Sequence, residues 1–477
     1  MSKDRIIERM VATGIWTSET ALHTGGEETL ENQVDMALLR TGGGAFFIPG
    51  SSIAGAARSH LSRMSAASDM DYRSGAQSRA VHALFGDDER ADSSRRKTAR
   101  YGSLLIVSDA LAITVTSALV RENVRLDSKS GIADDRAKFN LEVLPAGVQF
   151  AFRLQLLVYE ELPGKIELEE LKGYFQALLS AYATGQIGLG ARTRKGLGRG
   201  RVGAWDVRRF DMTHRPHVGA WLRRDWPSGE AVPLGKIAAT PMQAKSEWLE
   251  IEADCRLKTS LLIRAGNEDP TLPDMTHLSE NQKPLLSGTS LAGALRHRVE
   301  RIAKSLWGRD AGGQATVDLF GPLHKGKKGK GLFAGRVWVS EQEVENCELA
   351  VQSRVALDRF TGGALETALF DEAACWPTAG DERNVRLQVR LELRGDERED
   401  QRFSALLLQG FKDLWLGDLT VGGETGVGRG VLEGLSAQLR RTGWDSVEMK
   451  RTGRETVELS GWDERWARMT EIQEAER

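Results

Sequence analysis

The sequence predicts an α+β fold made of two tandem copies of one module, each an antiparallel sheet with helices on one face. Residues 46–58 and 284–296 share one pattern of apolar strand end, glycine turn, two hydroxyl residues and amphipathic helix. Three residues of this pattern recur 238 positions later (288 − 50), and the pairs are Gly50 and Gly288, Gly55 and Gly293, and Arg58 and Arg296. Each copy has the element order strand, helix, strands, helix, strand, which is typical of ferredoxin-like and RRM-like domains.

Length and composition favour two globular domains without a membrane segment. At 477 residues the chain is too long for one ordinary core, so two domains of about 200 residues are expected. The net charge is −2, so any nucleic-acid surface has to be a local basic patch. No segment approaches the ~18 uncharged residues of a membrane span. Cys255, Cys347 and Cys375 are far apart in the sequence, which argues against a disulfide framework and suits a cytoplasmic protein.

The first domain is predicted over residues 1–211. It begins with a strand over 14–23. The helix after the glycine turn is amphipathic, because Ile53 and Leu61 fall on one face at helical spacing. The remaining predicted elements are strands over 102–109 and 148–159 and a helix over about 167–183.

Residues 212–245 are predicted to be a semi-rigid linker, because prolines lie there among charges and tryptophans without a sustained period. The second domain is predicted over residues 246–440. It repeats the first with an offset that drifts from 239 to 230 through small loop deletions, as expected for a tandem duplication. Residues 441–477 have no repeat partner and are predicted to form a charged, helix-like tail.

A glycine-rich loop closes each domain. The first loop carries five basic side chains, which are Arg192, Arg194, Lys195, Arg199 and Arg201. Glycines let backbone N–H groups approach a phosphate and arginine binds its oxygens bidentately, so this loop is a candidate RNA contact. The alternative is a sharp turn with solvated arginines. In the second loop, aligned at an offset of 230 (430 − 200), only Arg429 is basic and Glu424 opposes it, so weaker RNA binding is expected.

The glycine turns precede helices whose first residues carry hydroxyl groups, and these are Ser51, Ser52, Thr289 and Ser290. A hydroxyl there can cap the helix, and a helix N-terminus can also bind an anion such as an RNA phosphate. Both readings remain open. Arg58 and Arg296 lie off the apolar stripe at matched positions, which favours contact with an RNA backbone over surface decoration.

With these motifs in the same order twice, the chain resembles the RAMP superfamily of CRISPR-associated proteins over roughly residues 14–205 and 250–435. More narrowly, it is similar to a tandem fusion of two backbone subunits (the Cas-seven group) of a type III effector complex, of the III-D branch. The motifs in the first copy are the Gly-Ser-Ser-x-x-Gly-x-x-Arg turn, Leu84-Phe85-Gly86, the strand ending in Ser108-Asp109, the irregular insertion around Asp127, and the glycine-rich loop.

The resemblance implies that the glycine-rich loops hold guide (cr)RNA and that other type III effector subunits are partners. It also implies that Asp35 and Asp274, fifteen and fourteen residues before their glycine turns, take the place of an Asp that cleaves the target RNA paired to the guide. Such a carboxylate can orient or deprotonate the attacking 2′-hydroxyl, or hold a divalent cation, with Mg²⁺ expected. The insertion containing Asp127 and Asp358 is expected to form a thumb, in which these acids are structural.

Three hypotheses follow. The chain cleaves guide-bound target RNA at two places, or it is a scaffold that is catalytically silent in one or both halves, or it is an unrelated duplicated ferredoxin-like protein. Metal-free chemistry based on histidine is disfavoured, because none of the eight histidines is paired between the repeats, although His277 lies near Asp274. The tract 324–330 is a basic loop for which solvation or a phosphate contact are the two readings.

Overall fold

The computed structural model describes residues 5–25, 34–65, 79–86, 102–114, 116–126, 133–162, 166–239, 242, 246–266, 273–322, 333–378, 380, 382–453 and 456–471. The chain forms two compact units. Unit 1 comprises Met1–Leu119, Glu142–Thr193 and Leu197–Ser246, and unit 2 comprises Val120–Leu141, Arg194–Gly196 and Glu247–Arg477. The predicted sites at Asp127 and at 324–330 lie outside the described residues.

The first eleven strands are β1 (Ile6–Ser18), β2 (Phe47–Ile48), β3 (Leu105–Val107), β4 (Ala110–Leu111), β5 (Leu119–Leu126), β6 (Ala133–Val143), β7 (Gln149–Tyr159), β8 (Gly200–Asp211), β9 (Glu230–Ala231), β10 (Glu247–Leu257) and β11 (Arg264–Gly266). The later strands are β12 (Met275–His277), β13 (Ser279–Glu280), β14 (Lys283–Leu286), β15 (Val337–Val339), β16 (Gln342–Glu343), β17 (Cys347–Leu357), β18 (Ala364–Pro377), β19 (Val385–Leu393), β20 (Leu432–Arg441), β21 (Val447–Arg451) and β22 (Val457–Ser460). The helices are α1 (Gly50–Ser65), α2 (Arg79–Phe85), α3 (Leu168–Ala183), α4 (Arg215–Leu222), α5 (Gly288–Trp307), α6 (Arg309–Phe320), α7 (Glu397–Leu416) and α8 (Glu464–Thr470).

The main sheet of unit 1 has the order β3-β7-β1-β8-β9 and its strands are antiparallel. This is the ferredoxin-like order, in which the first strand of the repeat lies between the third and the fourth. Trp16 of β1 and Phe150 of β7 are fully buried in one core with Ile53 of α1 and Phe175 of α3. Both helices therefore pack on the same face of the sheet, as the apolar spacing predicts.

The main sheet of unit 2 repeats this order as β15-β19-β10-β20, extended by β21 and β22. Ile251 of β10 and Val389 of β19 pack with Leu295 of α5 and Leu407 of α7 in a second core. A separate sheet contains the long β17–β18 hairpin beside β12 and β11. The predicted α+β fold, with two antiparallel sheets of ferredoxin-like topology, is confirmed.

The segment 212–245 is interpreted from sequence as a linker, but its residues 212–239 are folded and belong to unit 1. It contains α4, which starts with Pro216 in its first turn, and β9, which pairs with β8. Ala220 of α4 is buried against Val11 and Phe210 of the sheet, with Trp221 and Trp226 packed around them. The prolines and tryptophans that suggested a connector therefore serve as a helix start and as packing groups.

Two further elements differ from the expectations. The first strand begins at Ile6 rather than at residue 14, since its buried residues continue back through Met10 and Val11. The region after 440 adds two strands before the short helix α8, whose Trp466 is buried and donates its indole N–H to the carbonyl of Asp445.

Candidate nucleic-acid interface

The first glycine-rich loop is held by backbone hydrogen bonds that leave no room for side chains at its glycines. The N–H of Leu189 donates to the carbonyl of Gly198, and the N–H of Gly198 donates to Ala21. Gly198 has a left-handed φ of 68°, and a Cβ there would lie 1.8 Å from the carbonyl oxygen of Leu189. Gly190 is equally constrained, since its Cβ would lie 2.2 Å from the carbonyl oxygen of His23. These glycines are required by the turn itself.

The five basic side chains of this loop are divided between the units. Arg192, Arg199 and Arg201 lie in unit 1, whereas Arg194 and Lys195 lie in unit 2. Arg192 is half-buried, and its burial lowers the pKa of its guanidinium. Arg201 is exposed and forms an ion pair of 3.0 Å with Glu19.

In unit 2, the guanidinium of Arg194 lies 4.7 Å from the ring centre of Trp338. Lys195 is exposed, and its backbone carbonyl closely approaches Gly288 at the start of α5. The structure therefore places the backbone of Lys195 beside the N-terminus of α5, a proximity that the sequence did not indicate.

The second glycine-rich loop has the same backbone at an offset of 232 (430 − 198), so the predicted offset of 230 is wrong. The N–H of Val421 donates to the carbonyl of Gly430, as Leu189 does to Gly198, and the N–H of Gly430 donates to Ser260. Three glycines with left-handed φ recur at this offset, and the pairs are Gly190 and Gly422, Gly196 and Gly428, and Gly198 and Gly430. The structural alignment of the two loops is therefore shifted by two residues relative to the sequence alignment.

The corrected register changes the interpretation of Arg429. It occupies the position of the buried Leu197 (429 − 232), and its side chain is only 3% exposed. Its guanidinium is directed toward Glu424 and Glu372 rather than toward solvent. The prediction of Arg429 as an RNA contact therefore does not fit this arrangement, because its Nη donors are engaged inside unit 2 by Ser260, Gln352 and Glu372.

The two helix N-termini are capped differently, and Ser51 and Ser52 are not the caps of α1. The Oδ1 atom of Asp109 accepts the N–H of Gly50 at 2.7 Å, while both serines are exposed. In the second copy, Ser287 caps α5 by accepting the N–H of Thr289. The exposed serines of α1 are thus available to a ligand, whereas Thr289 and its neighbour Ser290 are half-buried.

The paired arginines of these helices are both half-buried. Arg296 donates from Nη1 to the carbonyl of Gly321 at 2.8 Å, which satisfies an acceptor at the end of α6. Burial lowers the pKa of Arg296. This contact gives Arg296 a structural role within unit 2, and it leaves RNA contact by Arg58 and Arg296 as a prediction.

The loops that carry Asp35 and Asp274 have the same backbone pairing in both units. Gly25 pairs with Leu38, and Arg264 pairs with His277, both 239 positions later (264 − 25). Asp35 and Asp274 therefore take matched places, and both are exposed. The predicted register of the two acids agrees with this pairing.

Different contacts fix the two acidic loops. In unit 1, the backbone N–H of Glu142 donates to the carbonyl of Met36. The carboxylate of Glu142 accepts the N–H of Leu38 at 2.8 Å and forms an ion pair with Arg40. In unit 2, the Oδ2 atom of Asp274 itself accepts the N–H of Asp371 at 2.9 Å. One oxygen of the second carboxylate is therefore engaged by the protein backbone.

Comparison with known protein families identifies the repeated module. The family model of the RAMP superfamily matches residues 17–201 and 254–433, one match for each ferredoxin-like sheet. The chain belongs to the RAMP superfamily. RAMP proteins generally bind CRISPR RNA and assemble into multisubunit complexes, which supports a CRISPR-associated RNA-binding role. No curated protein matches the chain. Within the described part of this RAMP protein, no helix is long and apolar enough to cross a membrane.

The histidines nearest the acidic loops of the RAMP repeats are buried. The Nδ1 atom of His23 donates to the carbonyl of Glu142, and burial lowers the pKa of His23. His277 accepts the N–H of Ile263 at Nδ1 and contacts the carbonyl of Leu285 at Nε2, and burial lowers its pKa to about 4. His277 is thus a neutral structural group at physiological pH, despite its proximity to Asp274 in sequence.

The described side chains do not by themselves form a site for a divalent cation. Among the residues that the structure describes, no three His, Cys, Asp or Glu side chains come together as a metal site. Asp35 and Asp274 each provide a single carboxylate to their RAMP repeat. A cation at either loop therefore depends on ligands that the described side chains do not supply.

Proposed function

We propose that this RAMP protein is a double backbone subunit of a type III CRISPR effector complex, of the III-D kind, that binds guide RNA and cleaves complementary target RNA once per domain. The observation that carries the proposal is the matched placement of Asp35 and Asp274 in exposed loops with identical backbone pairing. Two regularly spaced cuts require one exposed acid at the equivalent position of each repeat.

In this proposal the carboxylate acts on the 2′-hydroxyl next to the scissile phosphate. As a base it accepts the hydroxyl proton while the oxygen attacks phosphorus and the 5′-oxygen of the next nucleotide leaves. The alternative role is to hold Mg²⁺, which proteins often bind through one or two carboxylates together with substrate phosphates. In that role the substrate phosphates supply further ligands, since the described side chains form no three-ligand site.

The test uses the complex co-purified with its partner subunits, loaded with guide RNA and given labelled complementary target with and without Mg²⁺. Wild type should give two products of regular spacing. Asp35→Ala should remove one cut and Asp274→Ala the other, while both variants retain guide RNA. Asp206→Ala, which removes an exposed acid paired with Arg208 in unit 1, serves as the matched control. Persistence of both cuts in the Asp35→Ala/Asp274→Ala protein contradicts the assignment.

A scaffold with a silent second half is the second candidate. It is favoured by the hydrogen bond from Asp371 to Asp274, which engages an oxygen needed for chemistry. On this reading wild type gives only one cut, which Asp35→Ala abolishes. Asp274→Ala then changes neither the products nor guide retention.

A further inference from the structure

Two carboxylates and three guanidinium groups meet in unit 2, and we call this set the Glu424 cluster. Arg429 lies 2.9 Å from Glu424 through Nε and 3.3 Å from Glu372 through Nη2. Arg354 lies 2.9 Å from Glu424 and 3.4 Å from Glu372. Arg264 lies 3.0 Å from Glu424 and 3.7 Å from Glu372. Every guanidinium thus contacts both acids.

The cluster carries more positive than negative charge. With all five groups ionised, its three arginines and two glutamates leave one positive charge. Burial and the hydrogen bond with Glu424 raise the pKa of Glu372. For Glu424, burial is outweighed by the hydrogen bond with Glu372 and by the neighbouring arginines, so its pKa is lowered. Glu372 is 1% exposed and Arg429 3%, whereas Arg264 is 50% exposed. The excess charge therefore faces solvent on one side.

Glu424 is the member that distinguishes this loop from its copy. It stands where unit 1 has Arg192 (424 − 192 gives the loop offset of 232), and both residues have a left-handed φ, 58° and 60°. The second loop therefore presents a carboxylate from the backbone position at which the first presents a guanidinium. A carboxylate and a phosphodiester both accept paired N–H bonds from arginine, so one can replace the other.

The cluster adjoins the loop of Asp274. Glu372 follows Asp371, whose N–H donates to Asp274, and β12 after Asp274 pairs with β18 through Met275 and Glu372. Arg264 begins β11, which pairs with β12. An anion held by the exposed arginines would lie beside the same strands that position the acidic loop.

We propose that Arg264 and Arg354, the two more exposed arginines of the cluster, form a phosphodiester-binding site of the second RAMP repeat, which Glu424 occupies as an internal counter-anion until an RNA backbone displaces it. The inference rests on the proposed function for the identity of the ligand. It explains why a loop without exposed basic residues of its own belongs to an RNA-binding repeat.

The experiment compares the full chain with its Glu424→Gln variant, which removes the charge of the competing group with little change of shape. Thermal unfolding is followed in inorganic phosphate and in chloride of equal ionic strength. Phosphate should raise the melting temperature of Glu424→Gln by several degrees and that of wild type by less. Affinity for single-stranded RNA at low salt should rise about threefold to tenfold, with a steeper dependence of log K on log salt.

Asp413→Asn is the matched control, because Asp413 is a largely buried carboxylate paired with an arginine, Arg298, elsewhere in unit 2. Asp413→Asn should show neither the additional rise of melting temperature in phosphate nor the higher affinity for RNA. A second variant, Arg354→Gln, should weaken RNA binding and lose the phosphate effect in the Glu424→Gln background. If Glu424→Gln fails to fold in chloride but folds in phosphate, that result also supports the site.

The inference is overturned if Glu424→Gln and Asp413→Asn respond alike to phosphate, or if Glu424→Gln binds RNA no better than wild type while wild type binds it. A different pattern would contradict the proposed function alone. In that pattern phosphate selectively stabilises Glu424→Gln, but neither the chain nor its assembled complex retains RNA.

Discussion

Arg192 and Glu424 occupy one backbone position in two copies of the same loop. Both have a left-handed φ, of 60° and 58°, which residues other than glycine rarely adopt. The surrounding glycines and backbone hydrogen bonds match at the same offset of 232 (424 − 192). The duplication has therefore kept the shape of the loop while reversing the charge of the side chain at this position.

Arg429 should be a structural residue, unlike the arginines of the first loop. Arg429→Ala is expected to destabilise unit 2 by about 1.5–3 kcal/mol, because it removes a buried guanidinium hydrogen-bonded to Glu372, while Arg264 and Arg354 still pair with both acids. Arg201→Ala, at an exposed ion pair with Glu19, should cost less than about 1 kcal/mol. Chemical unfolding followed by tryptophan fluorescence measures both. Similar losses for the two variants would mean that Arg429 is not buried as described.

The helix caps give a second contrast. Asp109→Ala and Ser287→Ala should each lower stability by about 1 kcal/mol, since each removes the acceptor of an N–H at a helix start. Ser51→Ala should change stability by less than about 0.5 kcal/mol, because Ser51 is exposed and is not the cap. Thermal melts of the three variants test this order. A loss for Ser51→Ala as large as that for Asp109→Ala would contradict it.

Gly430 of the second loop and Gly55 of α1 should respond in opposite directions to replacement by alanine. Gly430→Ala is expected to destabilise by at least about 2 kcal/mol, because φ is 78° and the Cβ would lie 2.0 Å from the carbonyl oxygen of Val421. Gly55→Ala in α1 meets no atom within 4 Å and should stabilise the protein by up to about 1 kcal/mol. Unfolding midpoints measure both changes. Destabilisation by Gly55→Ala would show that the helix is not regular at that residue.

Stability should fall with acidification, in part because of His277. Its pKa is lowered from 6.5 to about 4 by burial, so the unfolded chain binds a proton more readily than the folded one. This contribution to stability is complete above about pH 6.5 and is lost as pH falls toward 4. The loss of unfolding free energy reaches about 2 kcal/mol at pH 5. His277→Gln should flatten the pH dependence of urea unfolding between pH 7 and 5. If the pH dependence is unchanged in His277→Gln, His277 is not its source.

Two thiols that the sequence separates are neighbours in unit 2. The Sγ atoms of Cys347 and Cys375 lie 2.6 Å apart at the base of the β17–β18 hairpin, and the structure describes both as free cysteines. The thiol oxidant diamide should convert them to a disulfide with loss of two hydrogen atoms, detected as a mass decrease and blocked thiol labelling. The cross-link should stabilise unit 2 by about 3 kcal/mol. Cys255→Ser should still form it, whereas formation in Cys347→Ser would indicate another pair.

The sequence was most informative where apolar spacing and turn residues repeat. The period of Ile53 and Leu61, the glycine turns at Gly50 and Gly288 and the common element order were enough for the ferredoxin-like fold and its duplication. It was least informative over 212–245, where prolines and tryptophans suggested a linker although they start a helix and cover the sheet. Composition alone does not reveal whether an aromatic residue has an apolar surface to pack against.

For the candidate site, the sequence by itself determined the tandem repeat and the pairing of Asp35 with Asp274, because short loops around a strong motif preserve their register. Only the tertiary structure decided the register of the second glycine-rich loop, and with it the burial of Arg429 and the match of Glu424 to Arg192. Glycines at every second position align equally well at offsets of 230 and 232. The left-handed residues and their hydrogen-bond partners distinguish the two, since the partners of Gly198 and Gly430 are Ala21 and Ser260, more than 150 residues away in the chain.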